Sequence, residues 1–493
     1  MGLGNSFRVG TAALFGILFL AAADIQAQNR NSTNSADLAD AFVRPGDIES
    51  LTLDANRVNV ESNSVIAAEV EDVVDIRTFA TPSLLLTPSH LLGDWNGLLP
   101  RFEDNGITPT VTWVSNMAGN PTGGLRQGFT ECDNLGIDLM ADLGKISDME
   151  GSKFHVSMSQ RSGASLSNKY IGNAFNVQQV YGGETFKLID VEYIKRYYDG
   201  KLTFHMGRIA AGDDFLTSPY YWIFMQNGID GNPVGIFKNA PGMSAYPNAA
   251  WGARMRIRPT DRTYLLAGVY NGDSTVRDNT DHGLDWSMHG PAFVITEAAY
   301  QRNGLPDDKG PLGNYKIGAW YNAGTFTNAA GQVLTSSPSV PGLNSATQQG
   351  NWGYYALADQ VIWRKPNEKQ RNIGVFTSIL VSPEEDYNQM PFFCNGGVAW
   401  TGPFDSRPTD ILGFAIVYGK FSDDLQQAEQ LARTFDSTVT VQDYELAFEW
   451  CYRFRMRDGA LYVQPDFQYI IQPNGSNEIP NAFVVGCQLG LNF

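Results

Sequence analysis

The chain predicts an all-β fold, a transmembrane antiparallel β-barrel of about 16 strands with long outer loops and short periplasmic turns. Three observations predict it. Apolar and polar residues alternate from Ile107 to the last residue. The alternating segments are separated by breaks that are long and short in turn. Past the N-terminus, no apolar run is long enough to cross a bilayer as a helix.

Composition agrees with this. A net charge of -17 and a pI near 4.7 leave no basic surface for a nucleic-acid partner. Aromatic residues at 12% and 50 glycines favour strands and turns over helices. The four cysteines, Cys132, Cys394, Cys451 and Cys487, are widely spaced without a C-x-x-C pair and read as isolated small side chains. No metal site and no cofactor is expected.

From the N-terminus, Arg8 precedes the apolar run Val9 to Ala23, which suits a signal-peptide core, with small residues for cleavage at Ala21, Ala23 or Ala27. Residues 1–27 are therefore expected to be a signal peptide. Residues 28–88 read as an acidic, flexible leader, because residues 29–80 carry ten Asp or Glu against four Lys or Arg and few aromatics. Residues 89–106, beginning SHLLGDWNGLLPRFED, read as a short periplasmic helical segment, interrupted at Gly97 and Pro100. The barrel domain is expected over residues 107–493.

The alternation is clear in YELAFEWCYRFRMRDGALYVQPDFQYII, residues 444–471. One row is Tyr444, Leu446, Phe448, Trp450, Tyr452 and Phe454; the other is Glu445, Ala447, Glu449, Cys451, Arg453 and Arg455. Leu135 to Leu143 and Ala249 to Ile257 repeat it, the second interleaved with Arg254, Arg256 and Arg258. Around Tyr264, Phe293 and Tyr355 it is ambiguous which row faces where. A soluble β-sandwich alternates in the same way, so strand number and break length must discriminate.

Breaks between odd and even segments fall at 119–133, 163–184, 210–247, 271–291, 326–350, 383–390, 422–438 and 473–481. Those between even and odd segments include Asp199-Gly200, Pro259 to Asp261, Lys365 to Gln370 and Arg457-Asp458-Gly459. Long and short alternate with the parity of a barrel whose two ends lie on one side of the membrane. The weakest members are the short outer breaks at 383 and 473 and the long turn at 302–313. The closing LGLNF places Phe493 at the end of an alternating strand, as an outer-membrane assembly signal does. The break at 422–438 contains SDDLQQAEQLARTF, a helix with a serine N-cap within an outer loop.

Leu91 to Ile107 (LLGDWNGLLPRFEDNGI), Met206 to Phe215 (MGRIAAGDDF), Gln464 to Gly475 (QPDFQYIIQPNG) and, less closely, Asn120 to Leu139 resemble the carbohydrate-selective porin family, the OprB type. The resemblance implies a sixteen-stranded outer-membrane pore with sugar-preferring passive diffusion. Its partners would be outer-membrane lipid, small sugars and the outer-membrane assembly machinery, with a homo-oligomer possible. The acidic leader of residues 29–80 is not part of the family's core, and loop stretches such as residues 326–350 match nothing in the resemblance. A general or ion-selective diffusion pore is the alternative.

A barrel of this width needs a constriction to be selective. The longest break, from Ala210 to Pro247, is too aromatic for disorder and is expected to fold into the lumen. Sugars want flat aromatic faces and paired polar groups, which Tyr220, Tyr221 and Trp222 and then Asp213 and Asp214 could supply. The inward rows add Arg254, Arg256, Arg258, Glu445, Glu449, Arg453, Asp466 and Gln468 as further groups for sugar hydroxyls or as plain channel wall, and Arg208 is a constriction candidate too. The arginines are open to two readings, hydrated wall or solute contact; the Tyr-Tyr-Trp cluster could equally anchor the loop. Arg208 is placed to pin the two aspartates. The five histidines are scattered, and no H-E-x-x-H, G-x-S-x-G or P-loop occurs, so no enzyme activity is expected.

Overall fold

The computed structural model describes residues 89–493 except 278–281, 285–286, 306–307, 309 and 338. The expected signal peptide and acidic leader lie outside the described residues. Sixteen strands follow in order: β1 Ile107–Thr122, β2 Phe129–Asp142, β3 Ser152–Gly163, β4 Phe186–Tyr197, β5 Leu202–Ile209 and β6 Ala250–Thr260. Next come β7 Thr263–Asn271, β8 Ala292–Arg302, β9 Gly313–Thr327, β10 Thr347–Lys365 and β11 Glu368–Val381. The last five are β12 Phe392–Thr401, β13 Ile411–Lys420, β14 Tyr444–Met456, β15 Leu461–Ile471 and β16 Ala482–Asn492. Each pairs antiparallel with its sequence neighbours, and β1 pairs with β16 from Thr112↔Asn492 to Thr122↔Phe483. The sheet closes on itself, so every strand finds partners for its backbone N–H and C=O groups on both sides. That closure is what a hydrocarbon environment requires.

Orientation of the rows separates barrel from sandwich. Along β14 the row of Glu445, Glu449, Arg453 and Arg455 is buried, while Trp450 and Phe454 are 42% and 41% exposed. Apolar side chains therefore face out and charged ones in, the inverse of a sandwich. Outward aromatics gather near both ends of the strands, with Tyr300 stacked on Tyr315 near one end and Tyr418 against Tyr444 near the other. Such rings suit the two interfaces of a bilayer.

Between β7 and β11 the inward rows carry many apolar side chains among polar ones such as Glu297, Lys316 and Asp359. Tyr264, Leu266, Tyr270, Phe293, Ile295, Tyr355, Leu357 and Phe376 are buried, while Leu265, Val269 and Ile317 face out. Hence the sequence is ambiguous there: one face meets hydrocarbon, the other meets protein. The lumen is only partly a wet tunnel, because this side of the wall shares a hydrophobic cluster with the segment after β5.

Breaks after odd strands span 123–128, 164–185, 210–249, 272–291, 328–346, 382–391, 421–443 and 472–481. After even strands they span 143–151, 198–201, 261–262, 303–312, 366–367, 402–410 and 457–460, at the end that carries both termini of the barrel. The 143–151 break is longer than a tight turn because it carries a helical turn, Leu143–Ser147, whose Gly144 and Lys145 amides are capped by Asp142.

Two local expectations have different outcomes. The helix Asp423–Arg433 forms as expected, with Ser422 Oγ accepting the Leu425 amide at 3.2 Å. In the N-terminal segment, Pro100 does not interrupt the helix: Leu98–Asp104 runs through it. Proline sits there in the first turn, where an amide has no intrahelical acceptor to lose. Before that helix, Leu91 donates its amide to Asn492 O at 2.7 Å and His90 Nδ1 lies 2.6 Å from Phe493 O, tying the segment to the last strand.

Candidate functional site

The expected inward loop is present. Residues 210–249 lie inside the wall, with Phe215, Leu216, Tyr221, Ile223, Phe224 and Met225 all buried. Phe376 of β11 is the hub: Tyr220 stacks on it at 5.8 Å, and Tyr221 and Phe224 meet it at 5.8 and 5.6 Å. Each such pair contributes about 0.5–1.5 kcal/mol beyond the area it buries. Wall glycines admit the loop: a Cβ at Gly374 would collide with the Tyr220 ring, and one at Gly413 would crowd Ile223 and Phe224.

The inward polar row of β14 and β15 holds the loops by their backbones. Glu449 accepts the Met225 amide at 2.6 Å and the Gln226 amide at 3.1 Å. Glu445 takes Ala174 and Phe175 at 2.6 and 2.9 Å from the 164–185 loop, and Asn474 at 2.6 Å. Gln468 donates to Val177 O and to Asp466 Oδ1, both at 3.0 Å. With exposures of 0%, Glu445, Glu449, Asp466 and Gln468 meet protein in this structure. Glu445 and Glu449 satisfy loop amides, and Gln468 a loop carbonyl, that would otherwise be orphaned inside the barrel. Glu449, Cys451 and Asp466 also bring potential metal-ligand atoms within 4.8 Å, but the Glu449 oxygens already serve Met225 and Gln226.

Arg254 Nε lies 2.5 Å from Asp214 Oδ2, and both residues are buried. Arg208 donates to Gly283 O. Behind Arg254 runs a buried chain: Arg254 Nη2 to His205 at 2.8 Å, His205 to Glu192 at 2.8 Å and Glu192 to His155 at 2.9 Å. Asp213 is half-buried beside this pair, Arg256 is buried on the same inward row and Arg258 reaches the turn end of β6, where its amide donates to Lys201 O.

The Tyr-Tyr-Trp cluster divides. Tyr220 and Tyr221 are buried anchors, whereas Trp222 is 56% exposed. Its carbonyl is held by Arg453 Nη2 at 2.9 Å, and the Arg453 guanidinium lies over the Tyr462 ring at 4.2 Å. A matching pair stands on β3, where Arg161 lies 5.3 Å from the ring centre of Tyr246. Asp230 of the loop interacts electrostatically with both arginines. Burial pushes its carboxyl up to about 7, against the pull of Arg453, the Gly231 amide and Arg161, and its Oδ1 has no hydrogen-bond partner.

Arg161, Asp230, Tyr246 and Tyr462 were not among the residues picked out from the sequence. Arg161 and Tyr462 do lie on inward rows, a usable signal. Asp230 and Tyr246 lie in loop conformations that no period marks.

A carbohydrate-selective porin family, OprB, matches residues 126–493. The chain belongs to this family. Porin B of Pseudomonas aeruginosa is 26% identical over 428 residues, covering 81% of this chain and 90% of that protein. The high-pH structure of Pseudomonas putida OprB superposes with a TM-score of 0.76 at 24% identity, over 83% of this chain and 99% of that one. The low-pH structure of the same protein gives 0.53 at 18% identity, over 83% and 100%. At these identities the structures speak for the fold. As an OprB-family porin the protein is an outer-membrane channel with a preference for carbohydrate, and family and fold point to transport in place of catalysis.

Proposed function

We propose that selection among solutes is made where the inner loop faces the two arginine–tyrosine pairs. Neutral sugars diffuse passively down their gradient. Trp222 offers its ring to the C–H face of the sugar, Asp230 Oδ1 accepts a hydroxyl, and Arg161 and Arg453 donate to others. The reading rests on Asp230, a buried loop carboxyl that interacts electrostatically with both arginines and whose Oδ1 has no hydrogen-bond partner. Binding must stay weak, since solute that cannot leave blocks the pore. Arg254, Arg256 and Arg258 then belong to the polar wall, balanced by Asp214 and its neighbours.

The same reading gives Phe493 the part of an assembly signal read by the outer-membrane assembly machinery, and residues 1–27 that of a cleaved export signal. Self-association in the membrane is tested by cross-linking in native membranes. For the selectivity itself, the test is flux into liposomes. Neutral mono- and disaccharides are expected to enter faster than charged solutes of equal size; equal rates would leave a general diffusion pore.

A further inference from the structure

We propose a second solute site at the outer mouth, between the helices Ala329–Ser336 and Asp423–Arg433, that takes a neutral polyhydroxylated solute of mono- to disaccharide size. It rests on the sugar-preferring reading of the channel and adds a place where solute is held before entry.

A cavity of about 380 Å³ opens there, within the range of roughly 300–1,000 Å³ typical of small-molecule sites. Three outer loops build it, those after β9, β11 and β13. Gln332, Ser337, Gln389, Glu429 and Thr440 line its polar side. Amide and hydroxyl groups both donate and accept, as sugar hydroxyls do. Val333, Leu425 and Val439 supply an apolar wall for the C–H face of a ring.

Glu429 decides the reading. It stands on the helix face with Leu425, Ala428 and Ala432, is 8% exposed, and accepts only the Gln442 amide, at 2.7 Å. No lysine or arginine pairs with it among the described residues. The Gln442 amide uses one carboxyl oxygen, Oε2, which leaves Oε1 to serve a ligand at the cavity. Burial lifts its pKa to about 7, so near neutrality it can offer a sugar both a donor and an acceptor.

The walls are held in place without a ligand. Asn328 caps the first helix at the Gly331 amide, Ser422 Oγ donates to Glu385 O at 2.7 Å, and Gln442 Nε2 donates to Asn474 O at 2.9 Å. A divalent cation fits less well. Besides Glu429 the cavity offers one carboxylate, Asp436, whose Oδ1 is taken by the Thr438 amide and hydroxyl at 2.9 and 2.6 Å. Calcium wants about six to eight oxygens.

The test is hydrogen exchange on the full chain in detergent, titrated with glucose and, separately, with calcium. Glucose is expected to protect peptides spanning 329–337 and 436–442. In Glu429→Leu, and in Ser337→Trp, which fills the cavity and leaves the Glu429 to Gln442 bond intact, protection should require about tenfold more glucose, the equivalent of one lost polar contact. Heat-modifiable gel mobility confirms that each variant is folded. No protection by glucose, protection by calcium alone, or protection unchanged in both variants would overturn the site. Wild-type liposome flux separates the two readings: a sugar preference without protection removes the vestibule alone, and loss of the preference removes the parent reading.

Discussion

Glu449 of the barrel wall accepts the Met225 amide of the inner loop at 2.6 Å. The same carboxyl takes Gln226, so one side chain fixes two successive loop amides. A typical intramolecular hydrogen bond contributes about 0.5–1.5 kcal/mol net, and leaving a buried amide unpaired costs about 1–3 kcal/mol. Glu449→Leu is therefore expected to loosen the loop, giving larger and noisier single-channel currents and weaker discrimination among sugars. Glu449→Gln, which keeps one acceptor oxygen, should fall between. Planar-bilayer recordings indistinguishable from wild type in both variants would contradict the anchoring role.

Asp214 and Arg254 form the other fixed point of the loop, and both are buried. Removing one partner strands a charge inside the barrel, at a cost of about 3–5 kcal/mol. Asp214→Asn and Arg254→Met should each lower the temperature at which the folded gel band converts to the unfolded one. The double variant should recover part of that loss, because the two opposite charges leave together. A double variant worse than either single one would show that the two residues act independently.

Trp222 and Tyr220 stand two residues apart and are expected to behave in opposite ways. Tyr220 stacks on Phe376, whereas Trp222 is open to the lumen. Tyr220→Ala forfeits the ring pair, about 0.5–1.5 kcal/mol, together with the area it buries, and should lower thermal stability. Trp222→Ala should leave stability within about 0.5 kcal/mol and flatten the differences in liposome flux between sugars. If Trp222→Ala keeps the full order of sugar rates, the indole takes no part in selection.

How much of this was legible in the sequence depends on what surrounds each residue. Glu445, Trp450 and their rows reveal strand, period and face, because lipid on one side and polar groups on the other leave a two-residue rhythm. The inner loop is legible from its length and aromatic content. Its docking is not: Tyr264, Tyr270, Phe293 and Tyr355 point inward to an apolar loop, and no rhythm distinguishes protein from hydrocarbon as the neighbour. Nor does the sequence tell that Glu449 serves loop amides while Arg453 supports an exposed tryptophan, since both occupy identical places in the alternation. Arg161 and Tyr246 meet across 85 residues of chain, a pairing only the closed barrel and its folded loop create.

Glu429 carries the pH dependence of the outer rim. Its carboxyl, lifted by burial to about 7, returns to the ordinary value of 4.5 when the helix Asp423–Arg433 leaves its seat. The seated form thus holds its proton more tightly. Its stability contribution is full below about pH 4.5, declines as pH rises towards 7, and is level above. Asp436, the other carboxyl on the cavity, is held below its usual range by Thr438 and stays ionised across most of that window, adding repulsion as Glu429 ionises. Arg433 and Lys420 do not compensate, being engaged with Glu478 and with Asp423 and Asp443. Amides of residues 423–433 should therefore exchange faster at pH 7.5 than at pH 5 once intrinsic exchange rates are corrected for. The excess should be roughly tenfold or more, one unit of proton affinity being a factor of ten. Glu429→Gln cannot ionise and should abolish the difference; a slope of the opposite sign, or one that survives in this variant, would assign the dependence elsewhere.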